Sequence, residues 1–229
     1  MKVAGLFPSR GLIGSQMMEA VDANLEGHDH VKFYSHDLPI PESFNYLVLK
    51  FLKTSHDYAW FVEEDVVPPT DGLNAMFAEE SPISFIDYPL KNRPDSPCYG
   101  TYRGKLIWIG LGCTLVHREV FERLGHPWFE SQWKYVSVHE GSGHGDPVLK
   151  IYPDPERPYG GQDLFFCYNA LRMGFDIRIV MGMRCKHPVP VRIRPVVETV
   201  DVVYDKETSK ETHLGGESGK FVSEPALSR

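Results

Sequence analysis

Three adjacent carboxylates, Glu63, Glu64 and Asp65, are the strongest chemical signal in the sequence. They directly follow the apolar run Tyr58–Val62, which has the composition of a strand that is buried on both faces. Carboxylates so close together repel one another, and a divalent cation that prefers oxygen ligands, Mg²⁺ or Mn²⁺, would relieve the repulsion. A solvated loop is the alternative interpretation, but the buried strand before the acids favours a functional site.

Asp163 and His187 also have side chains suited to an active site. Asp163 opens a predicted helix after Gly160 and Gly161, where a carboxylate either acts as a general base or stabilises the first helical turn. The glycine pair would let a substrate approach closely. His187 follows a predicted strand and precedes a proline, so its imidazole either completes a metal site with a distant carboxylate or is structural.

The segment 139–146 is the main rival metal site. Four of its eight residues could bind a metal, namely His139, Glu140, His144 and Asp146. Its three glycines predict flexibility, and no helical or strand spacing organises the four side chains. We therefore interpret this segment as a lid or a substrate loop.

An aromatic cluster lies between the last two predicted helices and consists of Trp128, Phe129, Trp133 and Tyr135. Core packing is its default interpretation. A wall on which sugar rings stack is the functional alternative, because aromatic faces cover the apolar faces of pyranose rings.

Strand and helix signals alternate through the first half of the chain. Apolar runs predict strands at 3–7, 31–34, 58–62 and 83–86, and helical spacing predicts helices at 15–25, 43–52 and 68–77. Ser43 is the predicted cap of the second helix. This alternation predicts an α/β fold with a doubly wound, mostly parallel sheet, in which ligands bind at the carboxyl ends of the strands. Ser9, Arg10, Asp37 and the three acids all fall at such ends.

The second half of the chain is less regular. The composition predicts a long loop at 88–105, an apolar stretch with glycines at 110 and 112 over 106–117, a helix at 118–124, a helix at 161–173 and a last strand at 176–181.

Composition narrows the classes of function. The 229 residues carry 24 Lys and Arg against 31 Asp and Glu, a net charge of −7 that disfavours a protein coating nucleic acid through its phosphates. No apolar run is long enough for a membrane span, and the first residues predict a strand rather than a signal peptide. The four isolated cysteines predict reduced thiols and a cytoplasmic protein.

The order of these motifs resembles that of glycosyltransferases of the GT-A fold, in particular the family-two-like group, from about residue 3 to 190. Five segments carry the resemblance, at 7–11, 44–45, 60–69, 110–121 and 161–166. Residues 60–69 resemble the Asp-x-Asp segment, with Glu63 in place of the first Asp. Residues 161–166 resemble the Gly-Glu-Asp element, with Gln162 in place of Glu.

The resemblance implies a Rossmann-like GT-A domain over residues 1–190. Its nucleotide-sugar half would be 1–87 and its acceptor half 88–190, followed by a C-terminal extension at 191–229. The polar composition from about residue 205 predicts that this extension is mobile.

The resemblance also implies roles for individual residues. The donor would be bound by Pro8, Ser9, Arg10, Asp37, Asn45, Glu63 and Glu64. The metal ligands would be Asp65 and His187, and the acceptor would contact Gly112, Trp128 and Gln162. Asp163 matches the general base of the inverting members.

The implied reaction moves a sugar from a UDP- or GDP-sugar to an acceptor hydroxyl, with Mn²⁺ or Mg²⁺ as cofactor. The acceptor stays open among a glycan, a protein, a lipid-linked sugar and a modified base, and the oligomeric state is not predicted. Retaining enzymes share the fold, so the stereochemistry is open, although Asp163 favours inversion. A non-catalytic binding module and a sugar-phosphate nucleotidyltransferase are the alternative functions.

Overall fold

The computed structural model describes residues 1–9, 13–90, 93–138, 148–156 and 160–187, which form twelve strands and five helices. The strands are β1 (Lys2–Pro8), β2 (Asp29–Ser35), β3 (Tyr58–Val62), β4 (Ile83–Phe85), β5 (Pro89–Leu90), β6 (Arg93–Pro97), β7 (Tyr99–Tyr102), β8 (Lys105–Ile109), β9 (Cys113–His117), β10 (Trp133–Val138), β11 (Val148–Pro153) and β12 (Ile177–Ile179). The helices are α1 (Ser15–Leu25), α2 (Ile40–Leu52), α3 (Gly72–Ala78), α4 (Arg118–Leu124) and α5 (Gln162–Arg172).

Six strands form one central sheet in the order β12-β4-β9-β3-β1-β2. β1 pairs in parallel with both β2 and β3, β12 pairs in parallel with β4, and β9 runs antiparallel to β3 and β4. The prediction of an α/β fold with a mostly parallel sheet is therefore confirmed. Because β1 lies between β2 and β3, the chain winds in opposite directions from it, and this switch point is where such sheets form a ligand crevice.

The core lies on both faces of this sheet. β3 is buried from Ala59 to the strand end, as its unbroken apolar run predicts. Phe61 in β3 packs against Phe44 of α2, with ring centroids 5.2 Å apart, and against Phe129 at 5.9 Å. Each such burial contributes about 1.5–3 kcal/mol, so these rings fix α2 and the segment after α4 on the sheet. All four cysteines are buried as free thiols.

Helix α2 begins earlier than its sequence signal predicts. Its first residue is Ile40, with Pro41 in the first turn, and Ser43 lies inside the helix rather than at its cap. Proline is well tolerated in a first turn, where its missing N–H has no helical partner to lose. The Ser43 hydroxyl instead hydrogen-bonds that of Ser35 at the end of β2.

The region predicted as one loop at 88–105 contains short antiparallel ribbons. β5 pairs with β6 and β7 with β8, and the β7–β8 hairpin turns at Arg103 and Gly104, which both have positive φ. Two such residues form the tight turn that matches strand twist. The apolar stretch at 106–117 is likewise divided into β8 and β9 at Gly110 and Gly112. Within the described residues, no helix has the length and apolar character needed to cross a membrane.

Candidate active site at the carboxyl ends of β1 and β3

The three acids lie in the tight turn that directly follows β3. The Glu63 N–H donates to the Gly112 carbonyl at 3.1 Å, and the Val66 N–H donates to the Glu63 carbonyl at 3.0 Å. Both bonds are between backbone groups, so the turn is anchored to the sheet by its own main chain. The acid side chains are thus carried at the switch point of the sheet.

Asp65 and His187, far apart in sequence, are brought together by a two-bond bridge between Val67 and Lys186. The Val67 N–H donates to the Lys186 carbonyl at 2.9 Å, and the Lys186 N–H donates back at 3.0 Å. This pairing holds His187 Nε2 3.3 Å from Asp65 Oδ1. The other ring nitrogen, Nδ1, lies 2.7 Å from the Pro89 carbonyl oxygen.

The Pro89 contact fixes the proton on the His187 ring. A carbonyl oxygen only accepts, so Nδ1 carries the hydrogen and Nε2 is turned to Asp65. A protonated ring makes an ion pair with Asp65, whereas a neutral ring presents a lone pair beside the carboxylate. Metal-binding histidines usually have their second N–H held by a carbonyl in this way.

The pair fits a shared divalent ion. Adjacent ligands of an octahedral Mg²⁺ with bonds of about 2.1 Å lie about 3 Å apart, close to the observed 3.3 Å between Asp65 Oδ1 and His187 Nε2. Among the described residues no cluster of three or more His, Cys, Asp and Glu could hold a metal.

Tyr88 links the acid turn to His187. It is not among the site residues predicted from the sequence. Its ring packs edge-on against the His187 ring at 5.7 Å, and its hydroxyl accepts a 3.1 Å hydrogen bond from the Gly112 N–H. Burial raises the pKa of Tyr88 well above 10, and Glu63 adds to the effect. The closely spaced Gly110 and Gly112 are the sequence feature that relates to this ring. A Cβ on Gly112 would lie 2.7 Å from Tyr88 Cζ, so only glycine leaves room for the tyrosine there.

Gly112 therefore has a packing role at this point. Its carbonyl accepts from Glu63 and its N–H donates to Tyr88, so the residue joins both sides of the site. Its predicted contact with an acceptor stays a prediction.

Asp163 and Gln162 occupy the first turn of α5. Asp163 Oδ1 accepts a hydrogen bond from the Leu164 N–H at 2.9 Å. Gly161, just before the helix, has φ of 88°, and a Cβ there would lie 2.5 Å from the Trp133 carbonyl oxygen. Gly161 thus admits the backbone of Trp133, whereas the sequence analysis expected the glycine pair to admit a substrate.

The carboxylates of Asp163 and Glu63 lie near the same buried thiol. Burial raises the pKa of Cys98 to about 12, and the charges of Asp163 and Glu63 contribute in the same direction. Cys98 also hydrogen-bonds Tyr88. Asp163 at the start of α5 and Glu63 in the acid turn are therefore both close enough to Cys98 to act on it electrostatically.

A narrow recess, here called the acid recess, opens beside the acid turn. It is lined by Pro8, Ser9, Leu38, Ile40, Ser43, Phe44 and the three acids. The Ser9 hydroxyl donates to Glu64 Oε2 at 2.9 Å. The volume is about 30 Å³, room for about one water molecule, so a nucleoside would have to widen it. Arg10, the predicted neighbour of Ser9, lies outside the described residues.

A larger space, here called the turn cavity, adjoins the acid recess. Its volume is about 750 Å³, and it lies between residues 37–42 on one side and Ser131, Gln132, Gly160 and Gln162 on the other. Leu38 and Ile40 line both spaces. Asp37, predicted to bind the donor with Ser9, lines this cavity together with Gln162.

Asn45 and Trp128 hold the framework around the site. Asn45 Oδ1 accepts from the backbone N–H groups of Trp128 and Phe129 at 3.0 and 3.2 Å, and its amide donates to the Phe129 carbonyl at 2.8 Å. Trp128 is 4% exposed, and its indole N–H donates to the Phe121 carbonyl at 2.8 Å. Core packing therefore accounts for Trp128. The rival loop at 139–146 and the extension at 191–229 lie outside the described residues.

Comparison with known proteins gives a fold likeness. No protein-family model matches the chain. No curated protein sequence matches it either. The solved structure of A197 from STIV is similar with a TM-score of 0.55 and 17% identity, over 83% of this chain and 87% of that chain. A glycosyltransferase involved in the glycosylation of the major capsid of PBCV-1 is similar with a TM-score of 0.35 and 13% identity, over 56% and 69% of the two chains. The similarity to A197 shows a shared fold.

Proposed function

We propose that the protein is a metal-dependent glycosyltransferase that moves a sugar from a UDP- or GDP-sugar to an acceptor hydroxyl. One observation carries the proposal. A histidine of fixed tautomer, His187, faces the last acid of the acid turn, Asp65, at the switch point of a mostly parallel sheet. The resemblance of five sequence segments to GT-A glycosyltransferases supports the same function.

On the donor side, the acid recess would receive the nucleoside and the diphosphate. Its Ser9 hydroxyl and the carboxylates of Glu63 and Glu64 can accept hydrogen bonds from ribose hydroxyls. Asp65 and His187 would hold Mn²⁺ or Mg²⁺. When bound, such an ion acts as a Lewis acid that neutralises charge on the leaving diphosphate.

On the acceptor side, Asp163 would act as the general base. Its carboxylate takes the proton of the acceptor hydroxyl, whose oxygen bonds to the anomeric carbon. The bond from that carbon to the diphosphate oxygen breaks, and the nucleoside diphosphate leaves with the electron pair. Attack from the opposite face inverts the anomeric configuration, and a base so positioned typically contributes about 10²–10⁴-fold to the rate.

A turnover assay tests the proposal. UDP- and GDP-sugars are incubated with the full chain and a pool of oligosaccharide acceptors, with and without Mn²⁺, and the released nucleoside diphosphate is measured. We expect metal-dependent release from at least one donor, and a loss of about 10²–10⁴-fold in kcat for Asp163→Asn with donor affinity kept. Asparagine retains the oxygen that accepts from the Leu164 N–H.

The matched control is Asp176→Asn. Asp176 also accepts from the N–H of the next residue, at 3.1 Å, and it ion-pairs with the exposed Arg178. The control should keep full turnover. If Asp163→Asn is as active as the wild type, the base assignment is wrong. Nucleotide binding without release from any donor would instead indicate a non-catalytic binding module.

A further inference from the structure

The turn cavity has the size of a small-molecule site, and the proposed function so far places no ligand in it. Its volume of about 750 Å³ falls within the range of small-molecule pockets, about 300–1,000 Å³. It adjoins the acid recess across Leu38 and Ile40, whose side chains are each 37% exposed. A ligand in the cavity would therefore lie next to a donor in the recess.

The lining of the cavity combines apolar and neutral polar groups. One side presents Leu38, Pro39, Ile40 and Pro41, and the opposite side presents a hydroxyl and two amides from Ser131, Gln132 and Gln162. Such apolar surfaces pack against the C–H faces of a sugar ring, while amides and carboxylates pair with its hydroxyls. This mixture matches a carbohydrate better than an apolar ligand.

The charge of the lining argues against an anionic ligand. Asp37 and Glu42 are acidic, and none of the described residues that line the cavity is Lys or Arg. Among the described lining residues, a phosphate, a sulfate or a sialic acid would meet like charge and no compensating cation. A neutral ligand with many hydroxyl donors has no such penalty.

A hydrogen-bond acceptor in the cavity wall lacks a partner. Gln162 Oε1 is buried, and no atom of the described chain donates to it. Buried polar atoms are nearly always hydrogen-bonded, and a turn of the Gln162 side chain that offers Oε1 to a ligand donor would break no hydrogen bond of this atom. Gln162 directly precedes Asp163, the proposed base, in the first turn of α5.

Three residues in the wall adopt left-handed backbone conformations. Asp37, Gln132 and Gly160 have φ of 56°, 66° and 87°. Two of them are not glycine, and such strained residues are concentrated at ligand clamps. The Gln132 N–H donates to the Gly160 carbonyl at 2.8 Å, which holds two of these turns together.

We infer that the turn cavity binds a neutral carbohydrate, which is the acceptor of the transfer. The identification of this carbohydrate as the acceptor rests on the proposed glycosyltransferase function. Among the four acceptor classes left open by the sequence, a neutral glycan is the one that fits. Its recognition is assigned to Gln162 and to Asp37, which the family resemblance had instead assigned to the donor.

Saturation-transfer difference NMR on the full chain tests the inference. Two oligosaccharide pools serve as probes, one of unmodified hexoses and N-acetylhexosamines and one of sialylated and sulfated glycans, with UDP or GDP and diamagnetic Mg²⁺ present. We expect signals from the neutral pool and none from the acidic pool. Signals from acidic glycans alone, or from neither pool, would overturn the inference.

Two variants locate the binding site. Asp37→Asn should weaken the neutral glycan about tenfold, because asparagine tolerates the left-handed conformation but lacks the charge. Asp71→Asn is the matched control, since Asp71 is also exposed with φ of 58° but lies outside the cavity lining. Equal affinity of Asp37→Asn and the wild type would overturn the inference.

Gln162→Leu separates binding from folding. Leucine removes the unpaired acceptor at similar size, so the Tm should stay equal or rise while glycan affinity falls about tenfold. Unchanged glycan affinity in this variant would overturn the inference.

Nucleotide binding without glycan binding overturns the inference but leaves the proposed transferase function standing. Glycan binding without nucleotide binding overturns the proposed transferase and leaves a carbohydrate site.

Discussion

The acid recess and the turn cavity share Leu38 and Ile40 but are built in different ways. Around the recess, backbone hydrogen bonds from the sheet fix the acid turn and the strand bridge that carries His187. The wall of the cavity comes from turns, in which Asp37, Gln132 and Gly160 have left-handed conformations, and from the first turns of α2 and α5. The comparison indicates that the sheet positions the acid turn, whereas the wall of the turn cavity depends largely on loops, which tolerate sequence change.

The largest effect that separates the two regions is expected from His187→Asn. Loss of the imidazole should weaken metal-dependent nucleotide binding about 100-fold. Of the two proposed metal ligands among the described residues, Asp65 alone would then remain. Glycan binding in the turn cavity should be unchanged. Titration calorimetry with nucleotide and Mn²⁺ measures the first effect.

His126→Asn is the control for this prediction. His126 also precedes a proline, but it is exposed and contacts Trp128. An equal loss of nucleotide affinity in both variants would show that the effect does not come from the Asp65–His187 pair.

A smaller effect should follow from Gly112→Ala. The added methyl group would lie 2.7 Å from Tyr88 Cζ, in a place where that buried ring cannot easily move. Such overpacking typically costs about 1–3 kcal/mol of unfolding free energy, measurable by urea denaturation. Nucleotide binding should also weaken, because Gly112 joins the acid turn to Tyr88.

Gly14→Ala provides the matched control, since Gly14 precedes α1 and a Cβ there meets no atom within 4 Å. Its unfolding free energy should change by only a few tenths of a kcal/mol, because alanine is a poorer cap than glycine but also lowers the conformational entropy of the unfolded chain, and the two effects offset each other. If Gly112→Ala changes the unfolding free energy as little as Gly14→Ala does, the packing role proposed for Gly112 is wrong.

The smallest effect is expected from Tyr88→Phe, which removes the hydroxyl that accepts from Gly112. The loss should be about 1 kcal/mol at neutral pH. Because burial raises the pKa of Tyr88 well above 10, the unfolded chain ionises this phenol at a lower pH than the folded protein. The stabilisation is therefore fully present below pH 10 and is lost as the pH rises above it.

Urea denaturation from pH 7 to 11 checks this sign. The difference between wild type and Tyr88→Phe should shrink above pH 10, with Tyr46→Phe, on the exposed part of α2, as the control for loss of a hydroxyl. A difference that grows with pH would contradict the burial of a neutral Tyr88.

Much of the sheet could be predicted from the sequence because local patterns specify it. The apolar run of β3 and the helical spacing of α1 and α4 give elements with the predicted bounds. The ribbons β5–β8 were missed, because their pairing depends on partners elsewhere in the chain and their Pro and Gly content resembles a loop.

Part of the candidate site could also be predicted from local sequence patterns. The acids stand at a strand end, which a local pattern reveals. The contact of Asp65 with His187 depends on the Val67–Lys186 bridge, and only the family resemblance suggested it. No local sequence pattern predicts that Asp37 and Gln162 line the same cavity. The turns that form its wall have positive φ at Asp37 and Gln132, and residue type alone does not specify that conformation.

Titration calorimetry of UDP and GDP, each with and without Mn²⁺, into wild type and Asp65→Asn tests the central claim most directly. The account predicts that one nucleotide binds in a metal-dependent way and that Asp65→Asn weakens it at least tenfold. Asp71→Asn should bind as the wild type does. Absence of binding by either nucleotide under every metal condition, or equal binding by Asp65→Asn, would contradict the account.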